Sequence, residues 1–400
     1  MTQAIILGDV HLGHSLNIGK ATVGSNLNSK IVDQLNLLDW TLDQALDNNT
    51  SNIIITGDIF EDPKPHPSII TLFISWLKKC QANGVKVHLI AGNHDILRSG
   101  YVYSSPLDII SEVELENVFV YKDINTIFIN STAFTFIPFR DRKSLGKLVN
   151  SESLSLLQDI INYELASIPI TYKKILVGHL AIEGSIPVGD EIDDMNNELF
   201  CPISMFNGYD YVWMGHVHKP QIMNKKNPYV AHIGSMDVSN FGESDHKKIL
   251  ILVDCNSPDE DFKTIKIPTR NLKKISIIVP KDTEDSTQYV LDQIKSNNKN
   301  LEKSIVRLEV SLSSQDLKSV NKSVLEKYLT ENGVFNVAGI SESKKTNVIK
   351  KESSNNIDTN MDVASAIKTY ASAYIDDSLK EKFIEISMDI YTQFKTEIKQ

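Results

Sequence analysis

Cysteine is scarce. The 400-residue chain has three, Cys80, Cys201 and Cys255, widely spaced and without a C-x-x-C pair. That excludes a disulfide framework and a zinc–thiolate site, and it fits a reducing compartment. No apolar run approaches the roughly 18 residues that span a bilayer, so a transmembrane helix is excluded. The strand-like run Ala4-Ile5-Ile6-Leu7 ends at Gly8-Asp9, too early for a signal peptide. Positive charge is also in deficit. A net charge of −10 argues against general affinity for nucleic acid and leaves only a local basic path open. No repeat recurs at periods of about 20–50 residues.

What is present is ordinary globular composition, 41% hydrophobic and 23% charged, which rules out a mostly disordered or fibrous chain. The length predicts two or three domains. Charge helps to place them. Residues 263–350 hold 16 Lys and Arg against 10 Asp and Glu, whereas the preceding body and the last fifty residues are acidic. The expected division is a body at 1–270, a basic module at 271–340, a Ser/Asn/Lys-rich linker at 341–360 and a tail at 361–400. In the body, apolar runs such as Ile53–Ile55, Val85–Ile90, Ile175–Val177 and Tyr211–Met214 read as strands. A helix-period stripe (Ile31, Leu35, Leu38, Leu42, Leu46) lies between the early ones. Such alternation predicts an α/β layer architecture, with an antiparallel part from Tyr229 to Lys266.

Five of these strands end alike: Gly8-Asp9-Val10-His11, Gly57-Asp58, Gly92-Asn93-His94-Asp95, Gly178-His179 and Gly215-His216-Val217-His218. Glycine lets the chain turn sharply and leaves room for a neighbouring group. Ligand sites in α/β sheets form at the carboxyl ends of strands. Asp9 and His11, like His216 and His218, are spaced i, i+2 and face the same way in extended chain. Hard oxygen and borderline nitrogen donors without thiolates suit two transition-metal or manganese-like ions. A strand-end carboxylate such as Asp58 can bridge such a pair. Taken singly, each histidine fits a satisfied core position as well as a ligand. Five such endings in order do not fit chance.

The series resembles the calcineurin-like metallophosphoesterases over about residues 1–260. His11-Leu12-Gly13, Ile233-Gly234-Ser235-Met236-Asp237 and Phe241-Gly242-Glu243 are similar to its SbcD-type DNA repair nucleases, also called the meiotic-recombination-eleven family. The resemblance implies a two-sheet sandwich flanked by helices, with a small α/β capping domain and a helical tail. It implies one ion on Asp9, His11 and His218, another on Asn93, His179 and His216, and Asp58 between them, with two divalent cations, Mn2+ expected. His94 would stand near the scissile phosphate as the general acid, with Asp95 either orienting its ring or capping a helix start. Arg98 is open between a phosphate contact and a surface ion pair. Where this subfamily commonly has His three residues after the bridging Asp, the chain has Glu61, which removes a donor to phosphate. Its bland reading is a solvated loop residue.

The resemblance further implies a DNA substrate for exonuclease or endonuclease chemistry in repair, recombination or replication. It also implies an SbcC-type, SMC-like coiled-coil ATPase on the tail, a homodimer, and a cytoplasmic or nucleoid-associated location away from membranes. The module reads as strand, helix, strand, helix: Ile275–Val279, Thr287–Ile294, Ile305–Val310 and Leu317–Leu329. The tail carries two stripes, Val363 to Tyr374 and Leu379 to Phe394, the second behind a possible capping box at Ser378 and Glu381. A phosphatase acting on small molecules or proteins, and a scaffold without catalysis, are the competing readings. Gly13-x5-Gly19-Lys20-Ala21 is declined as a phosphate loop, having one residue too many and no Ser or Thr after the lysine. His14, His66, His88, His232 and His246 have no partner that the sequence justifies.

Overall fold

The computed structural model describes residues 3–14, 16–22, 24, 27–99, 102–142, 144–146, 150–187, 198–256, 262–297, 301–344, 367–368, 370–371 and 380–397. The first half runs β1 (Gln3–Leu7), α1 (Ser29–Asp47), β2 (Thr50–Ile55), α2 (Pro67–Ala82), β3 (Lys86–Ile90), the hairpin β4 (Leu97–Ser99) and β5 (Val102–Ser104), α3 (Pro106–Glu112), β6 (Val118–Tyr121), β7 (Asn125–Ile129), β8 (Thr132–Ile137), α4 (Asn150–Ser167) and β9 (Lys173–Gly178). Then come β10 (Ala181–Ile182), β11 (Phe200–Cys201), β12 (Tyr211–Met214), β13 (Gln221–Asn224), β14 (Tyr229–His232), β15 (Ile249–Asp254) and β16 (Lys263–Lys266). The module comprises β17 (Leu272–Val279), α5 (Ser286–Asn297), β18 (Ile305–Leu312), α6 (Lys322–Glu331) and β19 (Asn336–Lys344). Helix α7 (Lys380–Glu397) follows.

Two six-stranded sheets form the body, ordered β16-β15-β1-β2-β3-β6 and β13-β14-β12-β9-β8-β7. Strand alternation explains how they stack. Ile5 and Leu7 of β1 face α1 and α2 in one core, while Ala4 and Ile6 face Phe134, Phe136, Ile175, Val177 and Trp213 of the other sheet. On the far side, Leu157 and Ile161 of α4 cover Ala133, Leu176 and Val212. The central strands are apolar on both faces, which is why they read as unbroken runs. The result is the expected α/β sandwich flanked by helices.

The 229–266 stretch is only partly antiparallel. β15 pairs that way with β1 and with β16, but β14 runs parallel to β12. The module is a parallel β17-β18-β19 sheet with its own core, in which Leu308 and Val310 pack with Val290, Ile294, Leu325 and Leu329. Leu317 and Val320 belong to that core but precede the helix, whose cap is Asn321 accepting from the Val324 amide. β19 runs four residues into the stretch read as linker; residues 345–360 lie outside the described residues, as do Val363, Tyr374, Ser378 and Leu379. No helix among the described residues is long and apolar enough to cross a membrane.

Candidate metal centre

The five glycine-led strand ends meet at one edge of the sandwich. The loop after β1 is clasped to the loop after β2: the amides of Val10 and His11 donate to Asp58 O (3.0 and 2.8 Å), and Leu12 N donates to Ile59 O (2.9 Å). Close approach explains two of the glycines. A Cβ on Gly92 would lie 2.1 Å from Asp58 Oδ1, and one on Gly215 would lie 2.2 Å from Asp9 Oδ1. His11, Asp58 and His216 have φ of 46°, 45° and 76°, a left-handed backbone that side-chain-bearing residues adopt at a cost of order 1–3 kcal/mol. Three strained residues in one cluster mark a place where position is specified.

Every residue assigned to metal is brought into this cluster. His11 Nε2 lies 2.9 Å from His218 Nε2, and both group with the Asp9 carboxylate, their ligand atoms all within 4.8 Å of one another. His179 Nε2 and His216 Nδ1 are 3.2 Å apart, with Asn93 Oδ1 at 2.8 and 3.0 Å from them. Asp58 Oδ2 stands between the two sets, 3.2 Å from His179 Nε2 and 3.5 Å from His11 Nε2. Burial works against its charge, yet His179 and His94 hold the Asp58 carboxyl well below the usual carboxylate range.

The outer face of each ring decides what the inner nitrogen offers. His179 Nδ1 faces Thr56 O at 3.1 Å, His218 Nδ1 faces Glu243 at 3.2 Å, His11 Nδ1 faces Glu61 at 2.9 Å, and His216 Nε2 pairs with Glu198. With the outer nitrogens of His179, His216 and His218 assigned as donors, each inner nitrogen there presents a lone pair; at His11 the Glu61 carboxylate stands at ion-pair distance beside the outer nitrogen. Lone pairs facing lone pairs at about 3 Å, beside three side-chain oxygens, suit cations held between them, and an outer oxygen partner for each ring is usual at such sites. The residues present therefore fit a pair of divalent ions. Burial opposes charge on His179, but Asp58 and Asp9 push its pKa up to about 9, a field that favours any cation there.

His94 stands beside this cluster without an outer carboxylate. Its ring meets His11 edge-on at 4.9 Å between centroids, its amide donates to Asp58 Oδ1 (2.8 Å), and its Nδ1 lies 2.7 Å from the Glu61 carbonyl. Asp95 does not orient that ring. Its buried carboxylate accepts from the amides of Ile59, Phe60 and Gly92, lacing the second loop to the third. Glu61 is only partly exposed, and its two oxygens reach His11 and His14, the latter at 2.6 Å. Arg98 lies in β4 opposite Tyr103; its side chain is outside the described part.

Several histidines thought partnerless find partners. His14 pairs with Glu61, His66 caps α2, His88 bonds Tyr121 and Asn52, and His232 Nδ1 meets Gly215 O. Lys20 is turned to the Phe335 carbonyl. All three cysteines are buried, which pushes each thiol up to about 12 and leaves it neutral. Sequence reasoning missed Glu198 and Thr56 altogether and gave Glu243 no role, since nothing in their local spacing marks them.

Residues 3–220, which carry all five ligand loops, match the calcineurin-like phosphoesterase family. The chain belongs to it. A calcineurin-like phosphoesterase with these side chains is a metal-dependent phosphoesterase. Among its relatives, the "DNA double-strand break repair protein Mre11" of Methanopyrus kandleri is 27% identical over 215 residues, 54% of this chain and 44% of that protein. The D component of the nuclease SbcCD of Staphylococcus epidermidis is 25% identical over 302 residues, 73% of this chain and 75% of that protein. The Mre11 protein of Methanocaldococcus jannaschii is 25% identical over 283 residues, 68% of each chain. This phosphoesterase thus matches less than half the length of the Methanopyrus protein.

Proposed function

We propose that this chain is a DNA nuclease component that hydrolyses phosphodiester bonds in repair, recombination or replication, working with an SbcC-type coiled-coil ATPase. One observation carries the reading: Asp9, His11, Asn93, His179, His216 and His218 converge on Asp58, with His94 beside them, in a chain whose relatives bear nuclease and break-repair names. Two divalent cations, manganese in this reading, would supply Lewis-acid polarisation of phosphoryl oxygens and activation of water near neutral pH when bound there.

The protein's own groups supply the rest. Asp9, His11 and His218 would hold one cation, Asn93, His179 and His216 the other, with Asp58 placed to serve both. Only Asp9 and Asp58 carry charge in the seven-donor set, so the donors themselves would offset only half of the positive charge of two divalent ions. His94 gives a proton to the departing oxygen, a role worth about 10²–10⁴-fold. Its Nδ1 is committed to the Glu61 carbonyl, which leaves Nε2 for the substrate. Burial opposes its charged form, but Asp58 and that carbonyl hold its pKa above the ordinary value. In this reading residues 271–340 cap the site and track DNA with side chains such as the exposed Lys273 and Lys274, and residues 361–400 bind the ATPase.

The test is manganese-dependent digestion of labelled linear duplex DNA, with and without a co-purified coiled-coil ATPase and ATP, beside a diester and a monoester nitrophenyl phosphate. The proposal expects DNA degradation stopped by chelator and a preference for the diester. Intact DNA with rapid monoester hydrolysis supports a phosphatase instead.

A further inference from the structure

Arg270 ties the module of β17–β19 to α1, donating to Asp33 (2.6 and 2.7 Å) and to Lys303 O (3.0 Å); two further stretches join module and body, and each of these leads to a donor of the same cation. Asn336 Nδ2 donates to Ile18 O (2.8 Å) and Lys20 stands 4.2 Å from the Phe335 ring centre, so β19 and the residue before it sit on the chain that follows His11-Leu12-Gly13. The second stretch is the turn at Phe241–Glu243. Phe241 is buried with Val238 and Ile18 of the body and Leu272 and Ile305 of the module. The Arg307 guanidinium of β18 covers its ring at 4.3 Å, a cation–π contact.

Two residues on, Glu243 is fully buried and points the other way. Its Oε1 lies 3.2 Å from His218 Nδ1 and 3.2 Å from Asn240 Nδ2, while its Oε2 takes Lys248 Nζ at 2.7 Å and the Ser239 amide at 3.2 Å. Lys248, equally buried, also bonds Ser235 Oγ (2.6 Å) and His218 O (3.0 Å). Asn240 closes the turn by accepting from Gly242 N (2.8 Å). A four-residue turn so fixed cannot shift at Phe241 without moving Glu243. Glu243 in turn sets the ring angle and donor strength of His218.

We infer that Phe241 and Arg307 are positioning residues, through which the seating of the module sets the affinity of the Asp9–His11–His218 cation site and not that of the Asn93–His179–His216 site. The inference rests on the metal reading proposed above. It goes beyond it in joining a half-buried arginine of the module to one of two ions in the body.

Manganese titration calorimetry on the full-length protein separates the possibilities. Wild type should show two sites. Arg307→Ala and Phe241→Leu, which keeps an apolar side chain but removes the ring, should weaken one of them about tenfold, within the range for lost outer partners of metal ligands, and leave the other unchanged. Arg307→Lys, which keeps a cation over the ring, should restore it. With cobalt as the probe, the visible spectrum of that one site should change in the two weakened variants only. Unaltered affinities in folded Arg307→Ala and Phe241→Leu proteins, or an equal loss at both sites, overturn the inference while leaving the metal reading standing. Wild type that binds no manganese overturns the metal reading, and this inference with it.

Discussion

Glu61 Oε2 lies 2.9 Å from Nδ1 of His11, on the ring nitrogen opposite the one that faces Asp58 and His218. At the position where a histidine was expected to address phosphate, the chain has a carboxylate that addresses the ring of His11. Burial opposes its ionisation, yet contacts with His11 and His14 hold its pKa well below the usual range, so it remains an anion. Glu61→Gln should therefore weaken manganese binding at the His11 site about tenfold to a hundredfold, the range for such outer partners. Calorimetry reads it directly, and unchanged affinity removes Glu61 from the account.

Among the described residues, Asp58 is the one side chain placed between both sets of donors. Asp58→Asn should abolish DNA cleavage and reduce the bound manganese from two ions to one or none per chain. Metal content after gel filtration measures the second effect. Two tightly held ions in an active Asp58→Asn protein would mean that the bridge lies elsewhere.

His94 should separate binding from turnover. His94→Ala is expected to keep both metal affinities yet lose about 10²–10⁴-fold in DNA cleavage, since a nucleotide alkoxide needs a proton. Loss on bis(p-nitrophenyl) phosphate should be much smaller, because nitrophenolate leaves without one. Equal loss on both substrates assigns His94 to positioning rather than proton transfer.

Gly92→Ala tests how tightly the loops interlock. The added methyl would meet Asp58 Oδ1 at 2.1 Å and Asp58 N at 2.3 Å, both fixed by the loop. Manganese affinity should fall at least tenfold while the circular dichroism spectrum stays native.

Acid should act through the core as well. Burial pushes His88 down to about 4 from its ordinary 6.5, so between those values the unfolded chain takes up a proton that the folded one refuses. Stability contributed by the neutral ring is whole above pH 6.5, falls as pH drops toward 4 and levels off below, by about 3 kcal/mol. In chelator, His88→Gln should flatten the denaturation midpoint across that window. An unchanged slope contradicts the assignment.

The ligand loops were legible because strand-end chemistry is local: an apolar run, a glycine, then a donor. What the sequence hid was non-local or disguised. Glu198 and Glu243 reach His216 and His218 from 18 and 25 residues away, and no spacing rule predicts such a pairing. Glu61 sits in a stretch of Asp and Pro that reads as a wet loop, yet two histidines hold it. Leu317 and Val320 are buried at helical spacing but precede the Asn321 cap, so periodicity alone carried the helix too far. β19 escaped because Asn336–Lys344 is a half-exposed edge strand with serines where a central strand would carry valine or isoleucine.

The account stands most directly on an anomalous diffraction map from crystals soaked in manganese. It predicts two peaks about 3.5–4 Å apart, one against Asp9, His11 and His218, the other against Asn93, His179 and His216, with Asp58 touching both. A single peak away from Asp58, or none at saturating manganese, would contradict it.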